Sequence, residues 1–155
     1  MTYKKKLIEV AMPLEAINEE SARRKRKAPA GYPTSLHKWW AQRPLAAARG
    51  VLFGQLVDDP SAQPDVFITE ADQDEERQRL FRIIEELVLW DNSNNDAVLE
   101  RARAEIWKSW RRTCADNCKA PDASVLFDPL RLPPFSDPFA GGGSIPFEAQ
   151  RLAGC

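Results

Sequence analysis

Residues Asp137-Pro138-Phe139-Ala140-Gly141-Gly142-Gly143-Ser144 constrain the fold of this chain more than any other stretch. A short apolar segment leads into an acidic residue and a triple-glycine turn. Ser144-Ile145-Pro146-Phe147-Glu148-Ala149 then reads as a helix start. Strand, glycine turn and helix in that order are how α/β folds bring bare backbone N–H groups up to a nucleotide-like cofactor. Glycines permit positive φ and remove the side chains that would block a close approach. No lysine follows them, so this is not a Walker-type phosphate loop, and the spacing is not that of the dinucleotide fingerprint. The plain alternative is a glycine-rich loop closing an ordinary strand–helix connection. The Asp-Pro-Phe before the turn and the amphipathic start after it favour a cofactor loop.

The rest of the chain reads mostly as helix. Leu7, Val10, Ala11, Leu14 and Ile17 fall at helical spacing over residues 7–27, with Pro13 interrupting the pattern. Residues 28–33 are a loop on composition, and Thr34 or Ser35 caps a short turn carrying Leu36-His37-Lys38-Trp39-Trp40. Pro44 suits the first turn of a helix with Leu45, Ala48, Leu52 and Leu56 on one face, ending at Asp58-Asp59-Pro60. After a surface connection over 60–73, a helix over about 74–90 buries Leu80, Ile83, Ile84, Leu87 and Val88. Asn92-Ser93-Asn94-Asn95 breaks the chain and caps a helix running to about Cys114, with Leu99, Ala102, Ile106 and Trp110 in register. Beyond Pro121 the character changes. Ser124-Val125-Leu126-Phe127 reads as a strand, and Phe135-Ser136-Asp137 as a second short strand into the glycine turn. Pro133 and Pro134 weaken that second strand, because neither donates to a ladder.

The expected architecture is a mainly α N-terminal helical domain, residues 1–120, followed over 121–155 by the first strand–turn–helix of an incomplete α/β, Rossmann-like domain. A doubly wound sheet needs several further βα units. The chain of 155 residues is expected to begin that domain without completing it.

A net charge of −1 gives no global drive toward nucleic acid. The charge is uneven, however. Residues 4–6 are all lysine and residues 23–27 are all basic, while acid gathers from Glu70 to Glu76. The run at 23–27 reads either as a phosphate contact or as a solvated helix end. No apolar run is long enough to span a bilayer, and Glu9, Glu15 and Glu19 interrupt the N-terminus where a signal peptide needs an apolar core. The expected location is cytoplasmic, with no membrane partner. Three cysteines argue against a disulfide framework. Cys114 and Cys118 are spaced to share a helix face, but a structural zinc site wants four ligands, and His37 and Cys155 would have to supply the other two. No metal site is expected.

The glycine segment resembles the first S-adenosylmethionine-binding motif of amino-group DNA methyltransferases. Residues 6–18, Lys6-Leu7-Ile8-Glu9-Val10-Ala11-Met12-Pro13-Leu14-Glu15-Ala16-Ile17-Asn18, add to the match. So do residues 36–49, Leu36-His37-Lys38-Trp39-Trp40-Ala41-Gln42-Arg43-Pro44-Leu45-Ala46-Ala47-Ala48-Arg49. Both resemble the N-terminal region, itself of unknown function, of a family of adenine-specific DNA methylases. Asn92-Ser93-Asn94-Asn95 and the helix after it are similar as well. The resemblance covers essentially the whole chain but only the first part of the family's much longer proteins.

The resemblance implies S-adenosylmethionine as cofactor and DNA as partner, in an adenine-N6 methyltransferase of the restriction-modification or phage-defence kind. It implies that Gly141, Gly142 and Gly143 approach the methionine part of the cofactor, with Asp137, Pro138, Phe139, Ala140 and Ser144 around them. His37, Trp39, Trp40, Arg43 and Arg49 become candidates for cofactor or DNA contact, against the alternative that they pack the helical domain. Leu132-Pro133-Pro134-Phe135 imitates the catalytic Asp/Asn-Pro-Pro-aromatic motif, but Leu132 has no acceptor for the target amine. No catalytic residue is assigned. The chain is expected to be inactive alone, as a truncation or as one piece of a split enzyme whose complementary chain carries the remaining sheet. The competing expectation is a non-catalytic helical module that binds nucleic acid or a protein partner, with a vestigial glycine turn.

Overall fold

The computed structural model describes residues 4–26 and 44–153. The helices among them are α1 (Leu7–Val10), α2 (Leu14–Arg26), α3 (Leu45–Leu56), α4 (Glu70–Val88), α5 (Asp96–Asp116), α6 (Ala123–Leu126) and α7 (Ser144–Ala153). Single 3-10 turns at Pro60–Ala62 and Trp90–Asn92 flank α4.

The break at Pro13 divides α1 from α2 as its missing N–H requires. Extended residues before α1 lie beside the chain leaving α3: Leu7 N–H donates to Val57 O and Asp59 N–H to Lys5 O, each at 3.0 Å. This isolated bridge between Lys6 and Asp58 is the β-pairing found among the described residues.

The sequence suggests one apolar face on α3. The structure buries it nearly all round, with Ala46, Ala48, Arg49, Gly50, Leu52, Phe53 and Gly54 all inside. Gly50 and Gly54, one turn apart, make the second face. A Cβ at Gly50 would stand 3.0 Å from Ile17 Cδ1, and one at Gly54 2.7 Å from Met12 Sδ. The bare stripe lets α2 and the α1–α2 connection lie close against α3. This helix is therefore the central post, in contact with α1, α2, α4, α5 and α7.

α4 begins four residues before the position its apolar stripe suggests. Thr69 Oγ1 accepts from Asp72 N–H and Asp72 Oδ2 from Thr69 N–H, both at 3.1 Å, a capping box built with Asp. Glu70 and Asp72 also suit the positive end of the helix dipole. Leu80, Ile83, Ile84, Leu87 and Val88 are all buried, as their spacing demands. Asn95 caps α5, its Oδ1 accepting from Ala97 N–H at 3.2 Å. Leu99, Ala102 and Ile106 face the core. Trp110 instead anchors the chain beyond α5. Its indole Nε1–H is shared between Asp128 O at 2.8 Å and Arg131 O at 2.9 Å, and its ring stacks on Phe127.

The strand–turn–helix is not what forms after residue 120. Residues 123–126 make the single turn of α6, with Val125 and Leu126 N–H both donating to Asp122 O at 3.0 Å. No named strand occurs among the described residues, and 135–137 is irregular. A strand satisfies its backbone only through a neighbour. Residues 124–127 meet their needs locally instead, and the two prolines at 133 and 134 withhold N–H groups from any ladder. α7 then returns to the helical core. Ser144, Glu148 and Leu152, at i, i+4 and i+8, are its buried face, and Leu152 joins Leu7, Phe53, Ile84, Leu87 and Ile106 in one cluster. Arg103 of α5 donates to Arg151 O through Nε at 2.9 Å and Nη2 at 2.6 Å, closing the C-terminal end of α7.

A buried ion pair ties α4 to the end of α3. Arg77 Nε and Nη2 approach the two oxygens of fully buried Asp59 at 3.0 and 3.1 Å, and Ser61 N–H donates to Oδ1 at 2.9 Å. Burial pushes the Asp59 carboxyl up, but the Arg77 and Ser61 hydrogen bonds outweigh it and hold the group below its ordinary 3.8. A depressed folded-state pKa adds stability above the unfolded pKa and loses it as pH falls through the folded value. Arg77→Met should therefore flatten the fall in urea stability on the acid side of about pH 4. An acid limb unchanged in that variant would remove Asp59 from the account.

Candidate cofactor turn and the buried ion pair behind it

The glycine turn is on the surface, directly before α7. Asp137 Oδ1 accepts from Phe139 N–H at 3.0 Å, so the acidic residue folds the entrance of the turn on itself. Gly143 N–H donates to Ala140 O at 2.8 Å, and Phe147 N–H to Gly143 O at 2.9 Å opens the helix. Gly141 and Gly143 have φ of 56° and 77°, where an L side chain is strained. Gly142 is different: its φ is not positive, and nothing lies within 4 Å of where its Cβ would stand. No carbonyl of the described residues accepts from Gly141 or Gly142 N–H. Successive free N–H groups in such a turn make an anion-binding concavity, and the helix N-terminus beyond adds its own positive end. Phe139 is 86% exposed beside the turn, with Pro138 also exposed and Ala140 half-buried.

Behind the turn lies Arg49, 1% exposed in the middle of α3. Its Nη1 donates to Leu87 O at 2.8 Å, its Nη2 to Ser93 Oγ at 3.1 Å, and its Nε stands 3.3 Å from Glu148 Oε1. Glu148, fully buried, sits one turn into α7 and also meets Arg151 Nη1 at 3.3 Å. Arg151 Nη2 reaches Asn94 Oδ1 at 3.3 Å. Burial holds the Glu148 carboxyl above its ordinary value, while Arg49 and then Arg151 pull it back. One guanidinium thus links α3, the end of α4, the turn before α5 and α7.

Of the residues singled out by sequence, the structure brings together the 137–144 turn and Arg49, through Glu148. Arg49 is a candidate for cofactor or DNA contact in the sequence, and its guanidinium is spent inside the fold. His37, Trp39, Trp40 and Arg43 lie outside the described residues, as do Lys27 and Cys155. Arg23 pairs with Glu20 through Nε and Nη2, each at 3.0 Å, so the start of the basic run is tied to its own helix. Cys114 and Cys118 do not share a helix face: α5 ends at Asp116, leaving Cys114 buried and Cys118 exposed in the turn beyond. Burial raises the Cys114 thiol, and Asp128 adds to the effect. Sequence reading missed Glu148 and Ser93. A carboxylate in register with Ser144 and Leu152 on an apolar face was the available signal for Glu148.

The described chain is thus a helical assembly that presents a surface glycine turn on its last helix. Residues 11–83, spanning α2, α3 and most of α4, match the model of a family described as a protein of unknown function (DUF1156). No curated protein and no solved structure matches the chain. Arg49 lies inside the matched span and its partner Glu148 outside it. No helix among the described residues is long and apolar enough to cross a membrane.

Proposed function

We propose that this chain is the part of a cytoplasmic S-adenosylmethionine-dependent DNA methyltransferase that carries the first cofactor motif. The enzyme is an adenine-N6 methyltransferase of the restriction or phage-defence kind. The observation that carries this reading is the turn itself, where Gly141 and Gly142 offer unengaged N–H groups and Gly142 leaves open space in front of them. These features fit a ligand that brings a carboxylate to bare backbone. Bound there, S-adenosylmethionine supplies an activated methyl group for the exocyclic amine of adenine. The chain's own part is to hold the amino-acid end of the cofactor at 141–143 and to keep that turn fixed through Glu148 and Arg49. The Asp/Asn-Pro-Pro-aromatic motif and the sheet that bears it belong, in this reading, to a complementary polypeptide.

The test is calorimetric titration of S-adenosylmethionine into the chain, alone and with that polypeptide. Gly142→Ala should leave the unfolding midpoint unchanged, since its Cβ meets nothing, and should weaken cofactor binding about tenfold or more, a loss of about 1.4 kcal/mol. Equal binding by both proteins, or none in any combination, would sink the proposal. One observation favours a second reading, a non-catalytic helical module that binds nucleic acid or a protein: α7 packs into the helical core rather than onto a sheet. That module would bind duplex or partner with Gly142→Ala indistinguishable from the parent.

A further inference from the structure

An open hollow of about 440 Å³ lies between the C-terminal end of α5 and α6. Ala115, Ala123, Phe127 and Pro129 make most of its wall apolar. Cys114 and Cys118 both line it, and both are free thiols. They share no helix face, but they share this hollow. Their access differs: Cys114 is 6% exposed, whereas Cys118 is open to solvent. α5 ends between them at Asp116, yet the chain keeps turning. Asn117 N–H donates to Thr113 O and to Cys114 O, each at 3.2 Å, and Asn117 Nδ2 donates to Thr113 O at 2.9 Å. Cys118 N–H then donates to Ala115 O at 3.5 Å. Four residues on such a turn advance about 6 Å, inside the roughly 4.4–6.8 Å that separates the Cα atoms of a disulfide.

No group of three or more His, Cys, Asp and Glu side chains that could hold a metal ion occurs among the described residues. What two thiols at this spacing can do is join. We propose that Cys114 and Cys118 are a redox pair that closes to an intramolecular disulfide on meeting a small disulfide of the glutathione kind. Cys118, the exposed member, attacks first as its thiolate. The S–S bond of the reagent breaks, a mixed disulfide forms at Cys118, and one reagent thiolate leaves and takes up a proton from water. Cys114 then loses its proton and attacks Cys118 Sγ, and the second reagent thiolate leaves and is protonated in turn. Two protein thiols are oxidised, and the reagent disulfide is reduced to two thiols. Closure pins the end of α5 to the turn beyond it, and an excess of thiol reverses it. This site is independent of the methyltransferase reading.

The test treats the whole chain carrying Cys155→Ser with oxidised glutathione, so that the pair are its only cysteines. Intact mass should fall by about 2 Da, with no glutathione retained and no linked dimer. The closed form should unfold at a higher urea concentration than the reduced form, since a bond that the native geometry accepts stabilises the fold. Cys114→Ser should stop at the mixed disulfide. Cys118→Ser, left with the buried thiol, should react about tenfold more slowly than Cys114→Ser. Equal rates for those two variants would overturn the order of attack. Closure that occurs only in urea, or a closed form that unfolds earlier than the reduced one, would overturn the proposal and leave two unrelated thiols. Neither of these last comparisons needs a variant of the pair to fold.

Discussion

Arg49→Met is expected to cost about 3–5 kcal/mol of folding stability, measured by urea unfolding at pH 7. The substitution keeps the bulk of the stem but removes the charge opposite a carboxylate that is fully buried. It also strips donors from Leu87 O and Ser93 Oγ. Most of the loss is the penalty of a buried carboxylate left with Arg151 as its remaining charged partner, so the double variant Arg49→Met with Glu148→Leu should recover a large share of it. The pH dependence carries the sign of the effect. The folded-state value of Glu148 lies above its ordinary 4.5, so its contribution is fully present below the unfolded pKa and fades as pH rises through the folded one. Removing Arg49 raises the folded value further. The deficit of Arg49→Met should therefore shrink as pH falls toward 4 and widen toward 7. A deficit independent of pH would mean that lost packing, not charge, is what the variant measures.

Leu152→Ala is the second large effect, about 2–5 kcal/mol, because the side chain is 0% exposed and its removal leaves a cavity. Its interest lies in where the loss is felt. Leu152 shares a cluster with residues of α1, α3, α4 and α5. A single cooperative urea transition should shift as a whole. If α7 belonged to a separate unit, the midpoint reported by the tryptophans of α5 would stay in place. Only the amides of 144–153 would then exchange faster. The measurement therefore tests the boundary near residue 120 that composition suggests.

How far sequence reaches is plain from particular elements. The α4 stripe was legible because an amphipathic helix writes its own period, and Pro13 because a missing N–H acts locally. α3 was half legible: Leu45, Ala48, Leu52 and Leu56 mark one face, but the role of Gly50 and Gly54 depends on Ile17 and Met12, whose approach no local pattern announces. Val125-Leu126-Phe127 misled because a short apolar run fits a strand or a helical turn equally well. The choice fell to partners, and here the local carbonyl of Asp122 supplied them. Within the candidate site, the turn was legible from its glycines. The place of Arg49 was not, since its contacts with Leu87 O, Ser93 Oγ and Glu148 Oε1 lie 38, 44 and 99 residues along the chain.

The hold of Trp110 on the carbonyls of Asp128 and Arg131 has a thermodynamic meaning for whatever reaches the glycine turn. That bond moors one end of the irregular stretch, and buried Ser144 moors the other. The intervening chain is a short loop with both ends already closed, so much of its freedom was surrendered on folding rather than on encounter. A ligand of the kind proposed at 141–143 would meet a backbone that has little disorder left to lose, and more of the contact energy would remain as affinity.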